Sequence, residues 1–143
     1  MTIKALQDEM ISDFSVMENW MDKYEYIIQL GKELPLIEEQ YKTDDHLIKG
    51  CQSRVWLHTE LKDGKLFFTG DSDAVITKGL VSLMIAVLSG HTPQEIAATD
   101  IYFIDAIGLR NHLSPTRSNG LLSMLKQMKL YAVAYAAQQS SKN

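Results

Sequence analysis

The chain has 143 residues, with 14 basic and 18 acidic side chains, seven Met and one Cys. That length suits one domain of roughly 100 to 200 residues, and 45% hydrophobic with 22% charged residues is the make-up of a globule, not of a disordered tail. A net charge of −4 speaks against a general nucleic-acid binder, and a single Cys excludes both an internal disulfide framework and a self-sufficient thiolate metal site.

Ile3, Leu6 and Met10 recur at helical spacing. Ser15-x-x-Glu18 reads as a capping box opening a second helix, with Phe14, Met17, Met21, Tyr24 and Ile28 on its inner face and Gly31 and Pro35 near its end. A polar connection runs from Pro35 to Gly50. Then the period changes: Val55, Leu57, Thr59 and Leu61 alternate with Arg54, Trp56, His58 and Glu60, as in a half-buried strand. Asp63-Gly64 marks a hairpin turn, and Leu66 to Thr69 is the return strand. A bare hairpin is marginal in water, so helices must cover one face of it, with a third strand as a possible addition.

Asp71, Ser72 and Asp73 are N-cap candidates for a helix over residues 74–89, closed by Gly90 and apolar nearly all round, hence central. Thr92-Pro93-Gln94-Glu95 is a second capping box with Pro at the first helical position. Ser114-Pro115 opens the last helix, whose apolar positions include Leu121, Leu122, Leu125, Met128, Ala132 and Tyr135. The polar tail, 138–143, is expected to fray. Helices at both ends of a small antiparallel sheet define an α+β fold, a single domain over 1–143.

The most apolar stretch, Leu80 to Leu88, spans nine residues, against about 20 for a membrane span. The amino-terminal segment carries no apolar core of a secretory signal, so a cytoplasmic location is expected. Charge is uneven: residues 1–45 hold eleven acids and four bases, whereas residues 109–143 hold five bases and no acid. Solvated helix faces and a steered partner both fit that asymmetry.

Cys51 lies in Lys49-Gly50-Cys51-Gln52-Ser53-Arg54, just before the first strand. A free Cys is commonly a small buried hydrophobe. Its polar neighbours and the adjacent Gly argue instead for a working thiol, and Lys49 and Arg54 would favour the thiolate. His58 reads as a sheet-surface residue, and His46 and His91 as solvated. His112 is the imidazole that would have to approach Cys51 in a thiol hydrolase. Cys51, Asp71, Asp73 and His112 would make at most a mixed metal set, and the two Asp are more simply helix caps. No phosphate-cradling glycine loop is present.

Four segments occur in series: Gly50-Cys-Gln-Ser-Arg-Val-Trp56, Gly70-Asp-Ser-Asp-Ala74, Lys78-Gly-Leu80 and His112-Leu-Ser-Pro-Thr-Arg-Ser-Asn-Gly120. Together with the entry from Trp20 to Pro35, they closely resemble the SufE family of sulfur acceptors over nearly the whole chain. The related CsdE proteins share these motifs. The resemblance implies a fold of helices around a small antiparallel sheet, like that of the IscU scaffolds. It also implies an acceptor of sulfane sulfur from a pyridoxal-phosphate cysteine desulfurase of the SufS or CsdA type, which it stimulates before passing the sulfur to a cluster-assembly scaffold.

Carried over, Cys51 matches the persulfide-forming cysteine. Gly50, Gln52, Ser53 and Arg54 match the acceptor loop, with Trp56 on the strand behind it. Asp71, Asp73, His112 and Arg117 match the remaining polar positions of the motif series and, with the loop, the partner-binding set. Arg54 stands where relatives often carry Gln, and Asp105 where they tend to carry Glu. The resemblance implies no metal and no cofactor on this chain, pyridoxal phosphate belonging to the desulfurase, and a monomer or weak homodimer with no nucleic-acid or membrane partner. An iron–sulfur scaffold, which generally wants several thiolates, a Cys51–His112 thiol hydrolase, and an interaction module that works without its thiol are the alternatives.

Overall fold

The computed structural model describes residues 1–35 and 37–141. Among the described residues, seven α-helices and two single 3-10 turns (Glu39–Tyr41 and Asp44–His46) surround one hairpin: α1 (Ile3–Ser15), α2 (Trp20–Glu33), β1 (Val55–Lys62), β2 (Lys65–Ser72), α3 (Val75–Leu88), α4 (Pro93–Ala98), α5 (Phe103–Ile107), α6 (Leu109–His112) and α7 (Pro115–Ser141). The expected α+β architecture is present. The expected fraying from Gln138 falls on the last turns of α7 up to Ser141, and positions 142 and 143 lie outside the described residues.

Local chemistry sets several boundaries. Asp63 and Gly64 both take positive φ, 52° and 78°, the requirement of a tight hairpin turn whose twist matches that of its strands. Thr92 and Glu95 form the reciprocal capping box at α4. The box at Ser15 and Glu18 does not form. Ser15 ends α1, its hydroxyl donating to Ser12 O at 2.7 Å, and Asn19 caps α2 by accepting from the Asp22 N–H at 2.9 Å. Starting α2 at Trp20 rotates its inner face, so Ile27 and Gly31 are buried while Met21 is 72% exposed.

The sheet among the described residues has two antiparallel strands, with Val55 opposite Ser72 and Trp56 opposite Asp71. Val55 and Leu57 point into the core as expected, but the alternation fades at the hairpin tip, where Leu61 is 38% exposed. Short pairings take the place of a third strand. Ile48 N–H donates to Val55 O at 2.9 Å on one edge, and Leu66 N–H donates to His91 O at 2.8 Å on the other.

Helix α3 is the hub, packed against α1, α2, α7 and β2, with Leu80, Leu83, Met84 and Leu88 fully buried. The buried amide of Gln7 ties α1 to the chain entering α5, donating to Asp100 O and accepting from the Tyr102 and Phe103 N–H groups. No described helix is long and apolar enough to cross a membrane.

Candidate functional site

The loop before β1 returns to α7 and presses Cys51 against it. Gly50 has φ +90°, a conformation that side chains rarely adopt. A Cβ there would also stand 2.6 Å from Ser123 Oγ. Cys51 is half-buried, and its Sγ–H donates to Gly120 O at 3.5 Å. A cleft of about 70 Å³ opens beside the sulfur. Its walls come from the loop (Cys51, Gln52, Ser53), from α3 (Thr77, Leu80) and from α7 (Thr116, Arg117, Gly120, Met124). The α7 contributors recur at helical spacing, so one face of one helix supplies that wall.

Two anchors hold the loop from the α3 side. Asp73 Oδ1 accepts from the Arg54 N–H at 3.0 Å, and Ser72 Oγ donates to Arg54 O at 2.8 Å. The expectation that Asp71 and Asp73 cap α3 is therefore overturned: β2 continues through Ser72, and Ala74 takes the N-cap position without a side-chain bond. Tertiary partners outcompete local capping here because each Asp has a fixed donor elsewhere.

Asp71 is 6% exposed and receives Lys42 Nζ at 2.8 Å and Lys78 Nζ at 3.5 Å. Burial pushes its carboxyl up, but the Lys42 ammonium, the Ser72 N–H and the Lys78 charge together hold it below the usual carboxylate range. Lys42 also lies 5.8 Å from the Trp56 ring centroid, so Trp56, Asp71 and Lys42 form one buttress behind the loop. Nothing near Lys42 in sequence points to Asp71 or Trp56.

Burial pushes the Cys51 thiol above its ordinary value. The expectation that Lys49 and Arg54 favour the thiolate is reversed, because both residues face solvent and desolvation is the governing influence. At rest the sulfur is a sheltered thiol.

His112 is elsewhere. Its ring stacks on Trp20 with centroids 3.8 Å apart, its Nδ1 lies 3.0 Å from Gly108 O, and its own carbonyl accepts from the Tyr24 hydroxyl. It does not line the cleft, so no Cys51–His112 dyad is assembled. Nor is the mixed metal set, since Asp71, Asp73 and His112 are each committed to other partners. Among the described residues no group of three His, Cys, Asp or Glu side chains is placed to hold a metal ion.

The other imidazoles are also less free than expected. His58 stacks on Tyr41 with centroids 3.6 Å apart, and His46 tilts against both. His91 bridges to Met1 O through Nε2 at 2.9 Å.

A half-buried cysteine seated between a glycine loop and a helix, without a base or a ligand set, defines a protein that presents one thiol. The comparisons with known proteins give its family. The family described as "SufE: Fe-S metabolism associated domain" matches residues 8–132. An uncharacterized SufE-like protein of Rhizobium etli is 43% identical over 138 residues, covering 93% of each chain. Another, of Rhizobium meliloti, is 42% identical over 127 residues, covering 85% of this chain and 91% of the relative. The solution structure of a hypothetical protein from Thermus thermophilus superposes with a TM-score of 0.77 at 16% identity, covering 92% of this chain and 96% of the other. That likeness is one of fold. The chain belongs to the SufE family.

Proposed function

We propose that the protein accepts sulfane sulfur on Cys51 from the persulfide of a cysteine desulfurase and carries it toward iron–sulfur cluster assembly. The observation that supports this most directly is the seat of Cys51: one thiol in a small cleft, on a loop tethered by a few hydrogen bonds, in a chain of the SufE family. The Cys51 thiol loses its proton to solvent as the loop leaves its seat. The thiolate attacks the outer sulfur of the donor persulfide, the donor S–S bond breaks, the donor departs as thiolate, and Cys51 holds the persulfide. Access, thiolate fraction and leaving-group acidity govern such an exchange. A second thiol nearby would displace the cargo and form a disulfide, so one Cys per chain suits a carrier.

Arg117 lines the cleft and offers a cation to the anionic persulfide. Gln52, Ser53 and the exposed Arg54 lie where a partner would meet the loop. A SufS- or CsdA-type desulfurase is the donor in this reading, bringing its own pyridoxal phosphate. A cytoplasmic cluster scaffold is the recipient, and this chain docks as a monomer and stimulates the desulfurase. The test is direct. The protein is incubated with a candidate desulfurase and L-cysteine, and its intact mass is read without reductant. A one-sulfur gain on the wild type and none on Cys51→Ser is expected; stimulation of the desulfurase that persists unchanged in Cys51→Ser, with no gain on the wild type, would make the chain an interaction module instead.

A further inference from the structure

We propose that Gly120 is a specificity-determining residue for the second sulfur, leaving open the place beside Cys51 that the outer atom of a persulfide fills. The proposal rests on the sulfur-acceptor reading above and deepens it. A Cβ built on Gly120 has its three nearest neighbours all in Cys51: Sγ at 3.6 Å, Cα at 3.8 Å and Cβ at 3.9 Å. These are ordinary contact distances, so an alanine at 120 fits against the thiol form without displacing it. The persulfide form is different. Its outer sulfur stands about 2.05 Å from Sγ, and on the Gly120 side it would fall well inside contact distance of a methyl group 3.6 Å from that same Sγ.

The surroundings make this the side on which a second sulfur is sheltered. Sγ already points at α7, donating to Gly120 O, and the cleft beside it is floored by Leu80 and Met124, both buried. Gly120 is itself buried on a helix whose next inward-facing position toward the loop is Ser123, packed against Gly50. Glycine inside a helix costs up to about 1 kcal/mol relative to alanine. Alanine would be the better helix residue and would still accommodate the thiol, so what glycine adds here is the space for the cargo atom.

The test loads sulfur chemically and so does not depend on any desulfurase. Inorganic polysulfide delivers one sulfur to the Cys51 thiolate: a polysulfide S–S bond breaks and a shorter polysulfide anion leaves. Cyanide then removes the outer sulfur as thiocyanate, returning the thiolate. For wild type and Gly120→Ala, the rate of cyanolysis of the persulfide is divided by the rate of iodoacetamide alkylation of the free thiol. The expected result is a ratio about tenfold higher in Gly120→Ala, because access to the outer sulfur changes while access to Sγ does not.

An unchanged ratio in a folded Gly120→Ala would overturn the proposal, as would cyanolysis and alkylation rising in parallel, which would mean that the loop as a whole had shifted. Should Gly120→Ala fail to fold, the wild type decides alone. Its persulfide is expected to be protected from cyanide, relative to the same protein in urea, at least as strongly as its thiol is protected from alkylation. Lesser protection of the outer sulfur would place it in solvent and overturn the proposal.

Discussion

Gly79 of α3 crosses α2 backbone against backbone: a Cβ on Gly79 would lie 2.3 Å from Ile27 O and 2.8 Å from Ile27 C. A Cβ on the opposing Gly31 would stand 2.8 Å from Gly79 N. Contacts this short are relieved only by moving a helix. Gly79→Ala is therefore expected to lose about 3 kcal/mol of stability despite the better helix propensity of alanine, through overpacking. Urea unfolding measures it; a neutral or stabilised variant would show that the two helices slide apart freely.

The tether between Asp73 and Arg54 predicts a change in reactivity larger than the change in stability. Asp73→Ala leaves the Arg54 N–H to water at an exposed site, costing on the order of 1 kcal/mol. It also frees the loop that seats Cys51, so alkylation of the thiol is expected to quicken severalfold. Asp73→Asn keeps an acceptor oxygen and should stay near the wild-type rate. Equal rates in all three proteins would mean that the Ser72 anchor and α7 hold the loop without the Asp73 carboxylate.

The pH dependence has two limbs. The Cys51 value is raised by burial, so the folded state keeps its proton longer than the unfolded chain. That contribution is fully present below the ordinary thiol value and is lost as pH rises through the folded value. Alkylation of folded protein should accordingly show a midpoint above that of the urea-unfolded protein. Asp71 is buried yet lowered by Lys42, Ser72 and Lys78. Its contribution is present above the unfolded carboxylate value and is lost as pH falls through the folded value. Asp71→Asn is expected to cost about 3 kcal/mol at neutral pH by removing the buried carboxylate shared by Lys42 and Lys78, with Lys42 keeping only the exposed Glu39 at 3.2 Å, and to flatten the acid limb of a stability–pH curve. An acid limb unchanged in Asp71→Asn would move that linkage to another carboxylate.

His112→Ala removes a ring stacked on Trp20. A stability loss of about 1 kcal/mol is expected, with a change in Trp20 emission, while sulfur loading of Cys51 by a cognate desulfurase persists. A folded His112→Ala that no longer gains the sulfur would return His112 to the chemistry.

What could be read from sequence was what local chemistry decides. Asp63-Gly64 and Thr92-x-x-Glu95 specify their turn and cap through groups within three residues, and both form. Ser15-x-x-Glu18 obeys the same rule and fails because Asn19 caps better once α1 has run through Ser15, which also turned Met21 outward. Asp71, Ser72 and Asp73 have the composition of a helix cap, yet Asp71 and Ser72 continue the strand, because Asp71 finds two lysines and Asp73 finds a loop amide.

The site was legible in its centre and not in its walls. Cys51 stands out by its loop and its motif, whereas its seat on Gly120 lies 69 residues away in sequence, and only the fold brings the two together. The thiol's acidity was misjudged for the same reason: Lys49 and Arg54 are neighbours along the chain but not electrostatic partners in space. His112, from the motif that also supplies Arg117 and Gly120, stacks on Trp20 because it ends the short α6 and a break at Leu113 and Ser114 separates it from α7.

Helix α7 spans 27 residues, about 40 Å at 1.5 Å per residue. Its first turns carry Thr116, Arg117, Gly120 and Met124 to the cleft, and further along Met128 and Ala132 lie in the core. Lys129 donates to Thr99 O at the end of α4, and Tyr135 bonds Thr59 on β1. The rotational setting of the sulfur site is thus locked by contacts several turns away. Deleting one residue between Met124 and Met128 would turn the front of the helix by about 100°, carrying Gly120 off Cys51 with every cleft residue still present in the chain.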